Sequence, residues 1–222
     1  MKIGVVGLGT FGSHLVRELA EIGVEVLAVD KREACVDAVK NDAAFAAVVD
    51  VTSREALERL PMAELDAVVL TIGDDFKSAM LTTAHLLAMK TKRLICRAAS
   101  ETHEQLLGAL GIKEIVVPES VAAAQVAARL AIRGVTGSYE VAEGFNVHEM
   151  TPPAAAIGKT MKELNLRGNY EINLITIKRR DGKGRVQVVG VPGPDFAIAA
   201  GDVLVLFGSD KALRRFAGSG EE

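Results

Sequence analysis

Short apolar runs and stretches of helical spacing alternate along the first half of the chain. Residues 2–6 form an apolar run that stops at glycines, and length and composition make it a strand. Within 11–21, Leu15, Leu19 and Ile22 recur at helical spacing, and Gly23 follows where a helix ends. The alternation continues with strands over 25–29, 46–49, 66–72, 93–97 and 114–117. Helices fill the intervals: over 32–40, from a Thr52-to-Glu55 capping box to Pro61, from 76 to about Met89, and from a Thr102–Gln105 capping box to Gly111. Six short strands joined by helices predict a parallel sheet covered on both faces, because parallel neighbours require crossover connections. The expected class is therefore α/β, a doubly wound Rossmann-type domain.

The texture changes after an Ala-rich helix over 120–133, which ends near Gly134 and Gly137. Strands are expected over 139–150 and 172–180, an Asp181-Gly182 turn, a return strand over 185–189, a strand over 203–207 and a helix over 210–216. This predicts a small α+β domain over 138–222 behind a first domain over 1–137. The 134–137 stretch serves as hinge, and the 218–222 tail is expected to be mobile.

Composition narrows the classes. Among 222 residues, 49% are hydrophobic and 25% charged, which argues against wholesale disorder. A net charge of −3 lacks the basic excess of a nucleic-acid binder, so no nucleic-acid partner is expected. Cys35 and Cys96 are too few and too scattered for a disulfide framework or a metal site. The first strand begins at once, leaving no room for a signal peptide, and no run approaches the ~20 apolar residues that span a bilayer. The expected location is cytoplasmic.

Gly7-Leu8-Gly9-Thr10-Phe11-Gly12 is a G-x-G-x-x-G turn between a predicted strand and a predicted helix, and Asp30 ends the second strand. In such a turn Gly7 permits the bend, Gly9 lets the backbone approach a phosphate, and Gly12 lets helix and strand pack closely. The helix start offers free N–H groups and the positive end of its dipole, and Asp30 can accept ribose hydroxyls. Lys31 and Arg32 raise the question of a 2′-phosphate, which Asp30 would repel. Asp50 ends strand three, where it either accepts from an adenine amino group or serves a solvated loop. Asp74 and Asp75 end strand four and either join the site or cap the next helix. Arg97 and Glu119 lie at the same edge, Arg97 meeting a phosphate or forming a surface ion pair. Val51, Ile72 and Gly73 line that edge and complete the candidate set. His14, His85, His103 and His148 show no metal-ligand spacing, and no nucleophile–base set can be assembled. Lys178, Arg179, Arg180, Lys183 and Arg185 crowd one hairpin, either simply solvated or facing an acidic partner or membrane.

Together the 5–33 segment, VVDVTSREAL, AVVLTIGDDFKSAMLTTAHLL and KEIVVPE resemble the N-terminal half of RCK (KTN) domains, the cytosolic regulatory subunits of Trk/Ktr-type potassium uptake systems. The segment from AIGKTMKELNLRGNYEINLITIKR onward is similar to their companion C-terminal domain. The resemblance implies a ligand-gated switch rather than an enzyme. It implies a homo-oligomer, dimers assembling to an octameric ring, peripheral on the inner face of the cell membrane beneath a potassium-translocating subunit. It implies an adenine nucleotide (ADP or ATP) or NAD(H) held by Gly7, Gly9 and Gly12 at the phosphates, Asp30 at the ribose, Asp50 at the adenine, and Arg97 and Glu119 toward the phosphates. The Ala-rich helix matches one that crosses between protomers. Thr10 stands where several ATP-responsive relatives carry arginine, and Val49-Asp50-Val51-Thr52 replaces their Gly-Asp-Ala-Thr. In some relatives a cyclic dinucleotide binds the C-terminal domain, for which Arg167, Asn169 and Asn173 are the candidates here. The alternatives are a small NAD-dependent oxidoreductase, or a sensor serving another cation transporter.

Overall fold

The computed structural model describes residues 1–218. The chain divides into two compact units, Met1–Glu119 and Ser120–Glu222.

The first unit is a six-stranded sheet, all parallel, in the order β3-β2-β1-β4-β5-β6. Its strands are β1 (Lys2–Val6), β2 (Glu25–Asp30), β3 (Phe45–Val48), β4 (Ala67–Leu70), β5 (Leu94–Arg97) and β6 (Glu114–Val116). The helices α1 (Thr10–Glu21), α2 (Glu33–Asp37), α3 (Arg54–Glu58), α4 (Phe76–Ala88) and α5 (Glu101–Ala109) connect them. The period-2 geometry of a strand sends its apolar run to two cores. Val5 and Val69 join Val16 and Val36 on one face, whereas Val6 and Leu70 join Leu57, Leu86 and Leu107 on the other. Strand order reverses between β1 and β4, which opens a crevice at the carboxyl ends of these two strands.

The second unit carries α6 (Pro118–Ala131), which begins at the end of the first, and a five-stranded antiparallel sheet in the order β10-β9-β11-β8-β7. Its strands are β7 (Val135–Ala142), β8 (Phe145–Met150), β9 (Asn173–Arg180), β10 (Val186–Val188) and β11 (Val203–Ser209). A 3-10 turn (Ala154–Ala156), α7 (Met161–Leu164), α8 (Leu166–Tyr170) and α9 (Asp210–Ala217) complete it. Leu213 and Phe216 of α9 share a core with Ile177, Leu204 and Leu206 of the sheet. No residue of α6 is buried, and Leu130 is 83% exposed.

Several expectations need correction. The run 139–150 is not one strand but the β7–β8 hairpin, turned at Gly144 with φ +75°. Tyr139, Val141, Phe145 and Val147 keep the same parity on both sides of the turn, which hides it. Gly137 lies inside β7, opposite Glu149. The helix N-caps are shifted: Ser53 rather than Thr52 accepts from Ala56 N, and Ser100 rather than Thr102 accepts from His103 N. The Ala-rich helix starts two residues early, at Pro118, whose missing N–H suits a first helical turn. The short helices α7 and α8 were not expected; a capping box between Thr160 and Glu163 fixes the first. The tail expected to be mobile lies, from Ser219 on, outside the described residues. Among the described residues no helix is long and apolar enough to cross a membrane, and no group of His, Cys, Asp and Glu is arranged to hold a metal.

Candidate functional site at the carboxyl edge of the parallel sheet

The site begins where β1 ends. Gly7 has φ +97°, a left-handed conformation that a side chain would strain. Gly12 lies against it: a Cβ there would overlap the Gly7 carbonyl oxygen and stand 2.7 Å from Thr71 Oγ1. That carbonyl is also held by the Thr71 hydroxyl, which donates to it from the end of β4. Thr71 was not among the sequence candidates. A threonine at the end of an apolar strand carries no signal until topology sets it opposite the glycine turn. Gly9 caps α1 with no side chain accepting from the helix, and no acidic residue lies in the first turn. A Cβ on Gly9 would meet nothing within 4 Å. Thr10 is exposed and Phe11 half-buried at this helix start. An uncapped twelve-residue helix behind an open glycine is suited to an anion, through its free N–H groups and its dipole.

Asp30 closes β2 beside this turn and is buried. Its carboxylate accepts from Leu8 N at 2.6 Å, Arg32 N at 2.9 Å and Arg32 Nε at 3.2 Å. Burial alone would push its pKa up; the hydrogen bonds from Arg32 and Leu8 outweigh this and hold it below the ordinary carboxylate value. Asp30 therefore holds the glycine turn in place as an anion, and the Arg32 side chain covers its outward oxygens. Lys31 lies 3.7 Å from Asp75. The basic pair after β2 thus faces acids, which disfavours a 2′-phosphate there.

The other candidates separate. Asp50, exposed just past β3, accepts from the Thr52 hydroxyl at 2.7 Å and from Thr52 N at 3.0 Å, which lower its pKa. Val51 buries its side chain in the core, and its carbonyl accepts from Thr82. Ile72 packs against Gly7. Of the acid pair, Asp75 caps α4 by accepting from Ser78 N at 3.0 Å, while Asp74 is exposed. Arg97 and Glu119 form an ion pair, and Gly73 lies beneath the guanidinium, where a Cβ would overlap Nη1. Arg97 Nε is buried with no acceptor. Gly7, Gly9, Thr10, Gly12, Asp30, Ile72, Gly73 and Arg97 lie at or just past the carboxyl ends of β1, β2, β4 and β5; Asp50 lies past the edge strand β3.

His103 and the basic hairpin, both singled out in the sequence, have local partners. His103 is buried; its Nδ1 accepts from Ala99 N at 3.4 Å, and burial, then the Arg97 charge, lowers its pKa. The basic hairpin of the second unit is largely matched from within. Arg179 pairs with Asp202, Arg185 with Asp181 and Lys178 with Glu149, while Arg180 donates to Gly184 O.

Residues 3–118 match the TrkA-N domain, and residues 147–218 the TrkA-C domain. The chain is 31% identical to the Ktr system potassium uptake protein C of Bacillus subtilis, covering 97% of this chain and 95% of that one. It is 27% identical to the Ktr system potassium uptake protein A of the same organism, over 99% and 96%. Its fold is similar to the GsuK RCK domain, with TM-score 0.66 and 18% identity over 98% of this chain and 48% of that one. It is also similar to the GsuK channel bound to NAD, with TM-score 0.64 and 17% identity over 97% and 39%. The chain thus spans about half or less of these two structures. Both Bacillus subtilis relatives, matched nearly end to end, are named for potassium uptake, which sets aside the oxidoreductase alternative. With one half matching TrkA-N and most of the remainder TrkA-C, the chain belongs to the TrkA family, whose members named above are potassium uptake proteins.

Proposed function

We propose that this protein is a cytosolic, nucleotide-binding regulatory subunit of a potassium uptake system and converts occupancy of the carboxyl-edge site into movement rather than reaction. The observation that carries this is the uncapped start of α1 behind the open Gly9, flanked by the buried Asp30 anion and by Arg97 with an unsatisfied Nε. These groups suit the phosphates and ribose of ADP, ATP or NAD(H). The first α1 amides and Arg97 take the phosphates, Asp30 the ribose once Arg32 swings aside, and Asp50 the adenine. Thr10 is too short to reach a distant γ-phosphate as an arginine would, so ADP and ATP are expected to bind with similar strength. In this reading residues 1–137 form the nucleotide-binding part with its helix, and 138–222 the companion part.

The protein works as a homo-oligomer, dimers building an octameric ring peripheral to the inner face of the membrane, beneath a Trk/Ktr-type translocating subunit. The unburied apolar face of α6 supports a second copy as its cover. A cyclic dinucleotide at the C-terminal part is a further element of the proposal. Arg167 and Asn173 are exposed and available for it, whereas Asn169 spends its side-chain amide on Leu164 O at 3.0 Å. Nucleotide shifts the ring only as far as it prefers one state over the other; a tenfold bias needs ~1.4 kcal/mol. The test is potassium flux through the reconstituted membrane subunit with and without this protein and nucleotide. Flux should change with both present, and identical flux in every condition would refute the proposal.

A further inference from the structure

Arg97 is placed with unusual constraint. It closes β5, its guanidinium lies over Gly73, and its side chain is only 15% exposed. Nε is buried without an acceptor. Its charge is met from within the chain, since Nη2 donates to the Glu119 carboxylate. Glu119 is itself 62% exposed, lies in the first turn of α6, and is the last residue of the first compact unit. The pairing is incomplete in a specific way: Glu119 engages Nη2 alone and leaves Nε unserved, whereas Asp202 takes both Nε and Nη2 of Arg179, and an anion approaching Arg97 along that same edge, such as a phosphate, takes both donors.

Resting on the nucleotide reading above, we infer that Glu119 is an internal competitor for Arg97, holding in the ligand-free protein the donor that a nucleotide phosphate takes over. Displacing Glu119 buries no charge, because the carboxylate already faces water and stays in the first turn of a helix, where negative charge is favoured. The phosphate gains the donor that Glu119 leaves idle. Exchange then frees the start of α6, so the affinity of the site and the tether at the end of the first unit depend on the same ion pair.

The experiment is equilibrium dialysis of radiolabelled ADP in EDTA with the full-length wild type, Glu119→Gln, Arg97→Gln and the double variant, after checking that all melt cooperatively. Removing an exposed competing carboxylate should tighten ADP by about threefold. Arg97→Gln should weaken it at least tenfold, and adding Glu119→Gln in that background should change nothing more. Arg97→Lys replaces Arg97→Gln in the cycle if the latter does not fold. As a second readout, amide exchange over residues 118–122 should rise on adding ADP to wild type and be high without ADP in Glu119→Gln. Unchanged or weaker binding by Glu119→Gln, or a gain that persists without Arg97, overturns the inference while leaving nucleotide binding intact. Wild type that binds no ADP overturns the inference, and wild type that binds neither ATP nor NAD(H) as well removes the nucleotide reading itself.

Discussion

Two glycines of one turn should respond to the same substitution in different ways. At Gly12 an added methyl overlaps the Gly7 carbonyl oxygen and stands 2.7 Å from Thr71 Oγ1. Neither can retreat freely, because the carbonyl is held by the Thr71 hydroxyl and Gly7 is already at φ +97°. The start of α1 must therefore lift by an amount on the order of 1 Å, and overpacking of this kind costs about 1–3 kcal/mol. At about 2–4 °C per kcal/mol for a chain of this size, Gly12→Ala should melt roughly 2–12 °C below wild type. The same lift moves the helix N–H groups away from a phosphate. Losing one charge-assisted hydrogen bond, at about 1.5–3 kcal/mol, weakens ADP at least tenfold. At Gly9 the added methyl meets nothing within 4 Å, so Gly9→Ala should melt like wild type. Its methyl nevertheless points into the open space before α1, and ADP should weaken by a similar factor. Calorimetric melting and ADP titration on the two variants check both halves. Equal melting losses for the two, or ADP affinity unchanged in Gly9→Ala, would refute the reasoning.

Other expectations follow from the same geometry. Asp30→Asn should cost about 1–2 kcal/mol at neutral pH by weakening the bonds from Leu8 and Arg32. Because the folded carboxyl titrates below its ordinary value, that contribution is complete above pH ~4 and fades as the pH falls further. Melting curves of wild type and variant should therefore converge in acid, and a constant gap down to pH 2 would contradict this. Asp202→Asn should lower the melting temperature by roughly 2–8 °C, since its buried carboxylate holds Arg179 and accepts from Ala199 N at 2.8 Å. Thr71→Val should cost about 1 kcal/mol and weaken ADP, because it frees the Gly7 carbonyl. Cys96 is buried and its thiol is pushed up to about 11, so iodoacetamide should label Cys35 first in the native protein, as read by peptide mass spectrometry.

What the chain reveals on reading depends on how local each signal is. The β1–glycine–α1 turn and Asp30 lie within the first 30 residues, and their spacing alone implies one strand–turn–helix–strand unit. The parallel sheet was legible because buried strands such as β1, β2 and β4 are continuous apolar runs. The part played by Thr71 was not, since it arises where β4 meets β1 across 64 residues of sequence. The pairing of Arg97 with Glu119 likewise needs the adjacency of β5 and β6 before the two side chains can meet. Val51 is a ligand-edge candidate by its position after β3, yet its side chain turns into the core. Caps were misplaced by one or two residues at 52–53 and 100–102, because Thr52 and Thr102 have Glu55 and Gln105 three residues on and so match a capping box, whereas the true caps Ser53 and Ser100 have Ala56 and His103 there. Helices α7 and α8 are too short to show a period, and their boundary is set instead by Asn165, whose φ of +40° ends one and begins the other.

The most direct measurement is isothermal titration calorimetry of the wild-type protein with ADP, ATP, NAD+ and NADH. The proposed function requires saturable heat with at least one of them, similar affinities for ADP and ATP, and at least tenfold weaker binding in Gly9→Ala without loss of folding. No heat with any of the four, from protein shown to be folded, would contradict it.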